Sequence, residues 1–385
     1  MALILLAAAL SLAPLATTRH GFRGFVVLYA VAALAWLPLV QRTLSLRATI
    51  VIAIVLRAIF IFVEPRLSGD VYRYLSDGRE LASGHNPYTY TPTDPRINHR
   101  EIRSIYPPHA QLLFALVHDL TTWRLLIIAA DLLCVVLLRE SGALAFATCP
   151  LVILEGTWSG HIDALAAVLL TIALLGRSGI AAGFASGLKV IPIAALPALL
   201  RANRGVRFAI TTALTLALPI LPFLGAPIMP GMRDYATRWI FNSPLYDLVR
   251  AVVELVPVKT IWTHHPLRFA VISNIVFEHL YADFLTRCVL ITIALGAIAL
   301  TTRVSTAIAA LLVCSPAIHP WYWLTLVPCA LVERSAWLYV AMLAPLSYLF
   351  YAGAPKALVY ALYACSALSA LVIRRWRPPR GDSPS

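Results

Sequence analysis

Charge is scarce in this chain of 385 residues. Asp, Glu, Lys and Arg together make up 13% of it, about half of the roughly 25% usual in a soluble domain. Lysine is scarcer still, with Lys189, Lys259 and Lys356 alone. The six cysteines, Cys134, Cys149, Cys288, Cys314, Cys329 and Cys365, lie inside apolar runs without CxxC or zinc-ligand spacing. That excludes a disulfide-stapled secreted module and leaves buried, inert thiols. The arginines sit singly in short gaps and form no continuous basic stripe, so nucleic acid is not the partner despite a net charge of +13. No internal repeat is visible. What abounds is apolar: 60% hydrophobic residues and a mean hydropathy of +0.80. This balance excludes a soluble globular enzyme and a disordered chain, leaving a polytopic membrane protein.

A bilayer core takes about 20 apolar residues per helix, fewer where flanking side chains reach the interface. The apolar runs predict spans at 2–16, 25–40, 48–63, 122–138, 143–157, 162–176, 206–224, 284–302, 304–317, 320–333, 336–352 and 357–373. The first lacks the basic flank of a signal peptide, and apolar runs continue beyond it, so it reads as a retained helix. Two long polar segments, 64–121 and 225–283, mix charges, aromatics and prolines. They read as water-side loops, because unpaired backbone groups are costly in hydrocarbon.

Segment 178–200 breaks the pattern. As one span it would put Lys189 at the bilayer midpoint, at a cost of at least ~2.5–3.5 kcal/mol. It would also separate Arg177 from Arg201, Arg204 and Arg207 by the membrane. As a re-entrant helical hairpin, each arm of about 11 residues rises about 16 Å, with Lys189 near the apex and facing a polar cavity. Gly179, Gly183 and Gly187 then give the first arm a small-residue face for close helix contact. With the hairpin, twelve full spans return both termini to the cytoplasm. Inner gaps and the basic tail 374–385 then hold Arg42, Arg47, Arg139, Arg177, Arg201, Arg204, Arg207, Arg303, Arg334, Arg374, Arg375, Arg377 and Arg380. The short outer gaps hold Arg19, Arg23 and Lys356, a positive-inside bias. The expectation is an all-α integral membrane protein with residues 1–373 as a single domain. Both long loops, and the ten histidines, lie on the outer face or at its edge.

The third span is followed by Gly69-Asp70-Val71-Tyr72-Arg73-Tyr74-Leu75-Ser76-Asp77-Gly78-Arg79. In a helix, Asp70, Arg73, Tyr74 and Asp77 share one face, with Asp70 just beyond the membrane exit. Alone, this is equally an amphipathic surface helix with an Asp–Arg pair. Further on come Gly84-His85-Asn86-Pro87-Tyr88, Ile105-Tyr106-Pro107-Pro108, Glu155-Gly156-Thr157-Trp158-Ser159-Gly160-His161-Ile162-Asp163-Ala164 and Gly187-Leu188-Lys189-Val190-Ile191-Pro192. Arg238-Trp239-Ile240-Phe241-Asn242-Ser243-Pro244-Leu245-Tyr246 and His319-Pro320-Trp321-Tyr322 complete the series.

In this order, over roughly residues 65–325, the segments resemble bacterial polyprenyl-phosphate-dependent glycosyltransferases of the GT-C type, the multi-span mannosyltransferase-like proteins. They are similar to that family's first outer loop, second outer turn, lysine-proline element, W-x-F-N segment and late His-Pro-Trp-Tyr turn. The resemblance implies a GT-C-like fold in a bacterial cytoplasmic membrane, with the active site on the periplasmic or exterior side. It implies transfer of a sugar, mannose, from a polyprenyl-phosphate donor to a hydroxyl of a glycan, glycolipid or protein acceptor. There is one departure: relatives often carry two adjacent acids where this chain has Gly69-Asp70, which puts a divalent-metal role in doubt. No cofactor is expected beyond the lipid-linked co-substrate.

Single displacement at a lipid phosphate needs a base for the acceptor hydroxyl, and Asp70 is the candidate. The leaving phosphate needs fixed positive charge and donors. Lys189 is the first choice for it, with His319 and Arg238 as further ones. Trp239 and Trp321 offer aromatic faces for a sugar, or serve as interfacial anchors. His161 and Asp163 position a substrate or cap a helix. Arg73, Asp77, Asn86, Tyr88, Tyr106, Asn242 and Tyr322 complete the substrate-side set. Arg57 and Asp131 pair with each other or with backbone. His264-His265 and Glu278-His279 lack ligand spacing, so no metal site is expected. The alternative is a membrane transporter or lipid-linked sugar flippase, since half-membrane helices and an intramembrane lysine also occur there. The missing repeat weighs against it.

Overall fold

The computed structural model describes residues 1–255 and 274–375, the side chains of 274–280 and 367–375 excepted. The His264-His265 pair, the side chains of Glu278-His279 and the end of the basic tail lie outside the described residues. Among those described, every regular element is helical, and one isolated bridge joins Phe241 to Ala317.

Four described helices are long and apolar enough to cross a bilayer: Ala2–Leu39, Leu120–Leu137, Val206–Phe223 and Tyr281–Leu300. Val152–Trp158 and Asp163–Gly176, bent by 117°, make a fifth if counted together. Val27, Leu34, Leu133, Leu214 and Leu295 stand exposed on these helices. Apolar faces of that extent are matched to lipid, and the protein is membrane-embedded. Other apolar runs fold as shorter helices, among them Val304–Val313, Pro320–Val332 and Trp337–Tyr351. Twelve hydropathy runs are therefore not twelve full-length helices. Pro192, Pro197, Pro320 and Pro345 each occupy the first turn of a short helical piece, where a missing N–H is harmless but continuation from the preceding turn is not. The expected first two spans are one run, Ala2–Trp36, broken at Gly21 with φ +62°, a conformation glycine adopts without a Cβ penalty.

The glycine face of Gly179–Leu188 packs against Val206–Ala217. An added Cβ at Gly179 would meet Thr211 Oγ1 at 2.2 Å, and one at Gly183 would meet Thr215 Cβ at 2.7 Å. These contacts advance along both helices in the same direction, so the two run parallel and the chain between them must return. It turns at Lys189, whose extended backbone (φ −143°, ψ 153°) ends the first arm. The second arm leads back to Arg201, whose guanidinium donates to the Ile298 and Ala299 carbonyls (3.1 and 3.0 Å) near the end of Asn274–Leu300.

The two long polar segments meet. Gly231 N–H donates to the Ser104 carbonyl (3.4 Å), and Trp239 packs edge-on to His99 at 4.6 Å. Deep in the helices, Arg57 Nε and Asp131 Oδ2 pair at 2.7 Å, both side chains essentially inaccessible. A second guanidinium nitrogen of Arg57 donates to the Ala147 carbonyl (2.9 Å).

Candidate active site

Asp70 opens the helix Asp70–Ala82, where a carboxylate is favoured by the helix dipole. Gly69 precedes it because an added Cβ would meet the Arg96 carbonyl at 2.3 Å. A side chain at position 69 would run into that backbone. Behind the helix, Tyr74 stacks on Phe114 (4.7 Å) and leans on Trp123 (5.5 Å), so the first turn is fixed from its apolar side. Tyr106 donates its hydroxyl to Asp70 Oδ2 (3.2 Å), and a quarter of the Asp70 side chain remains exposed.

That exposed part faces a cavity of about 710 Å³, within the range of small-ligand sites. Asp70, Tyr106, Lys189, His319, Trp321 and Tyr322 are on its wall. Lys189 is one-tenth exposed and pairs with Asp163 Oδ2 at 3.3 Å. Its ammonium stands 5.1 Å from the Tyr106 ring and 5.5 Å from the Tyr322 ring. The carboxylate after the third hydropathy run and the amine at the hairpin turn thus share one chamber, with Tyr106 against both. Gly187 sets the hairpin tip there, since an added Cβ would meet the His109 ring at 2.3 Å.

A column of flat rings stands behind the cavity. His161 stacks on Trp321 (4.1 Å), Trp321 on His319 (4.5 Å), and His319 on Phe241 (4.8 Å). This column brings together the Gly-His-Ile-Asp turn, the His-Pro-Trp-Tyr turn and the W-x-F-N segment. Burial first, and then nearby Lys189, push the His319 imidazole down to about 3. It faces the cavity as a hydrogen-bonding group.

Several expected substrate residues are elsewhere. Arg238 is three-quarters exposed, pairs with Asp234 on its own helix (3.4 Å) and is not on the cavity wall. The structure does not bring it to the other candidate phosphate residues. Asp77 is fully buried: it accepts from Arg73 Nε (2.8 Å), Ser104 Oγ (2.6 Å), Gln111 Nε2 (3.1 Å) and Tyr90 Oη (3.1 Å). Burial pushes its carboxyl up, with Arg73 and the Ser104 and Gln111 donors opposing. It fastens the loop and is not on the cavity wall. Arg73 lines the cavity and also pairs with Asp77 (2.8 Å) and donates to the Ile102 carbonyl (2.8 Å), its Nη2 remaining without a partner. Asn86 accepts from Tyr88 N–H (2.9 Å), and the buried Tyr88 donates to the Tyr106 carbonyl (2.8 Å), so both shape the loop that presents Tyr106. Asn242, at φ +51°, donates to the Ile318 carbonyl (3.2 Å) and holds the two late segments together. His161 and Asp163 are fully buried directly behind Asp70 and Lys189. Trp239, Trp321 and Tyr322 do line the cavity.

Sequence reasoning missed Arg66, Arg96, His99, Arg103 and Tyr235 on the same wall. Arg96 is held by Asp94 (2.8 Å) and lies over the Tyr72 ring (4.1 Å). Among the described residues Arg66 and Arg103 have no carboxylate within ion-pair distance. The proximity of these arginines to a buried lysine is set by loop course, for which no sequence signal exists. Glu155 was visible as an acid within an apolar run, a functional flag by default. Among the described residues no group of three or more His, Cys, Asp or Glu side chains is arranged to hold a metal. No family model, no curated protein and no solved structure matches this chain, so the site stands on its own geometry.

Proposed function

We propose that the chain is a membrane glycosyltransferase that moves a sugar, mannose by the family resemblance, from a polyprenyl-phosphate donor to an acceptor hydroxyl by inverting single displacement. The carrying observation is that Asp70 and Lys189 line one cavity. Asp70 takes the acceptor's proton as that oxygen attacks the anomeric carbon. The bond from this carbon to the phosphate oxygen breaks, and the electron pair leaves with the phosphate. Lys189 supplies the charge that meets it, with the Tyr322 hydroxyl and His319 as neutral partners on the same wall. Phosphate is a competent leaving group, so no acid is required to protonate it. With no enzyme nucleophile, the anomeric configuration inverts.

In this reading the fold is GT-C-like. The shorter helices complete about twelve crossings by stacking end to end, and the Lys189 hairpin is re-entrant. The isoprenoid tail lies between helices, and the acceptor, a glycan, glycolipid or protein, enters from the outer aqueous side of a bacterial plasma membrane. The arginine bias toward the inner gaps supports that orientation. The experiment is transfer from radiolabelled polyprenyl-phosphate mannose by purified membranes, wild type against Asp70→Asn. Transfer abolished by the substitution is the expected result, and wild-type turnover by Asp70→Asn removes the base. Substrate crossing in reconstituted vesicles with no new glycosidic bond replaces the proposal with the transporter reading.

A further inference from the structure

We propose that Tyr348, Glu155 and His161 form a buried chain of hydrogen-bond donors ending on Asp70, with His161 as the positioning residue for that carboxylate. The inference rests on the transfer reading above. His161 Nδ1 lies 3.8 Å from Asp70 Oδ2, and its Nε2 lies 3.6 Å from Glu155 Oε2. Tyr348 donates to the other Glu155 oxygen at 2.9 Å. His161, Glu155 and Tyr348 are all fully buried. Both imidazole nitrogens and Glu155 Oε2 lack a hydrogen-bond partner in this arrangement. Buried polar atoms seldom stay unpaired, and here each faces the next. A closure of under about 1 Å at each step makes every bond.

Proton bookkeeping sets the direction. His161 stands in the turn between two helices; burial, then Lys189 and His319, hold its imidazole well below the ordinary range. A neutral imidazole has one N–H and one bare nitrogen. Asp70 Oδ2 already accepts from Tyr106, so the ring's N–H belongs at Nδ1, and Nε2 must accept from Glu155. The charged and titratable groups around the ring are Asp70, Glu155, Lys189 with its partner Asp163, and His319 beyond Trp321. Two donors on Oδ2 leave Oδ1 for the incoming hydroxyl. The ring's plane is set by the flat contact with Trp321, so the N–H is aimed before substrate arrives. None of these three residues lines the cavity; they act through Asp70.

His161→Phe keeps a flat ring on Trp321 and removes both nitrogens. His161→Asn removes the ring but keeps an N–H near the Nδ1 position. The chain predicts that His161→Phe loses about 100-fold in kcat at unchanged KM, and that His161→Asn is the more active of the two. A residue that merely fills space gives the reverse order, which overturns the proposal. Glu155→Leu removes the donor to Nε2 and is expected to lower kcat about 10-fold. A second readout needs no transfer: carbodiimide labelling of Asp70, mapped by mass spectrometry across pH. The extent of labelling is expected to change severalfold in His161→Phe, where the N–H facing Asp70 is lost, and to stay near wild type in His161→Asn. Equal labelling of wild type and His161→Phe overturns the chain. Changed labelling in a protein that transfers no sugar upholds the chain and discards the transfer reading.

Discussion

Asp70 concentrates the proposed chemistry in one side chain. Asparagine at that position keeps the size and still accepts from Tyr106, so Asp70→Asn is expected to fold normally and to lose two to four orders of magnitude in turnover, roughly the worth of general base catalysis. Detergent-solution melting alongside the radiolabel assay separates the two effects. Asp77, seven residues on, should behave in the opposite way. Its four donors make it a fastening, and Asp77→Ala strands Arg73 without its carboxylate partner. The expected cost is about 3 kcal/mol of stability, read as a lower melting temperature and yield, with donor KM unchanged in the fraction that folds. A helical face containing Asp70 and Asp77 was legible in the sequence. That only one end of it meets open space was not, because the segment 102–111 that buries the other end has no periodic signal. Arg238 stands off the cavity wall beside Asp234, one turn earlier, a placement that a lone arginine in a polar segment does not signal.

At the scale of elements, the hairpin around Lys189 was legible because a buried amine and a one-sided arginine distribution permit few paths for the chain. The number of full crossings was not, since hydropathy counts apolar residues and cannot register where proline divides a run. The hairpin's position depends on Gly187. Gly187→Ala drives a methyl into the His109 ring, and transfer should fall at least tenfold, with a stability loss of about 1–3 kcal/mol. The His109 contact also brings a pH dependence. Burial holds the His109 imidazole below its ordinary value of 6.5, against the pull of its bond to the Thr215 carbonyl (2.8 Å). The folded value is lower than the unfolded one, so this contribution is present above about pH 6.5 and is lost as pH falls below it. Melting temperature measured from pH 8 to pH 5 should decline over the acid part of that range. His109→Gln should flatten the decline.

For the molecule as a whole, the buried Arg57–Asp131 pair joins the third and fourth hydropathy runs. Removing one partner leaves an uncompensated charge, so Arg57→Met alone is expected to cost about 3–5 kcal/mol. Arg57→Met with Asp131→Leu should recover most of that, which thermal melts of the two variants will resolve. The sequence reading left this pair open between mutual and backbone partners; both are used, since Arg57 also reaches the Ala53 and Ala147 carbonyls.

The cavity wall has a further consequence for how the protein is made. It draws on Phe22 near one end of the chain and Tyr351 near the other, with Asp70, Lys189, Tyr235 and His319 in between. Synthesis supplies these residues in that order. A product that stops before Tyr351 therefore lacks part of the cavity wall.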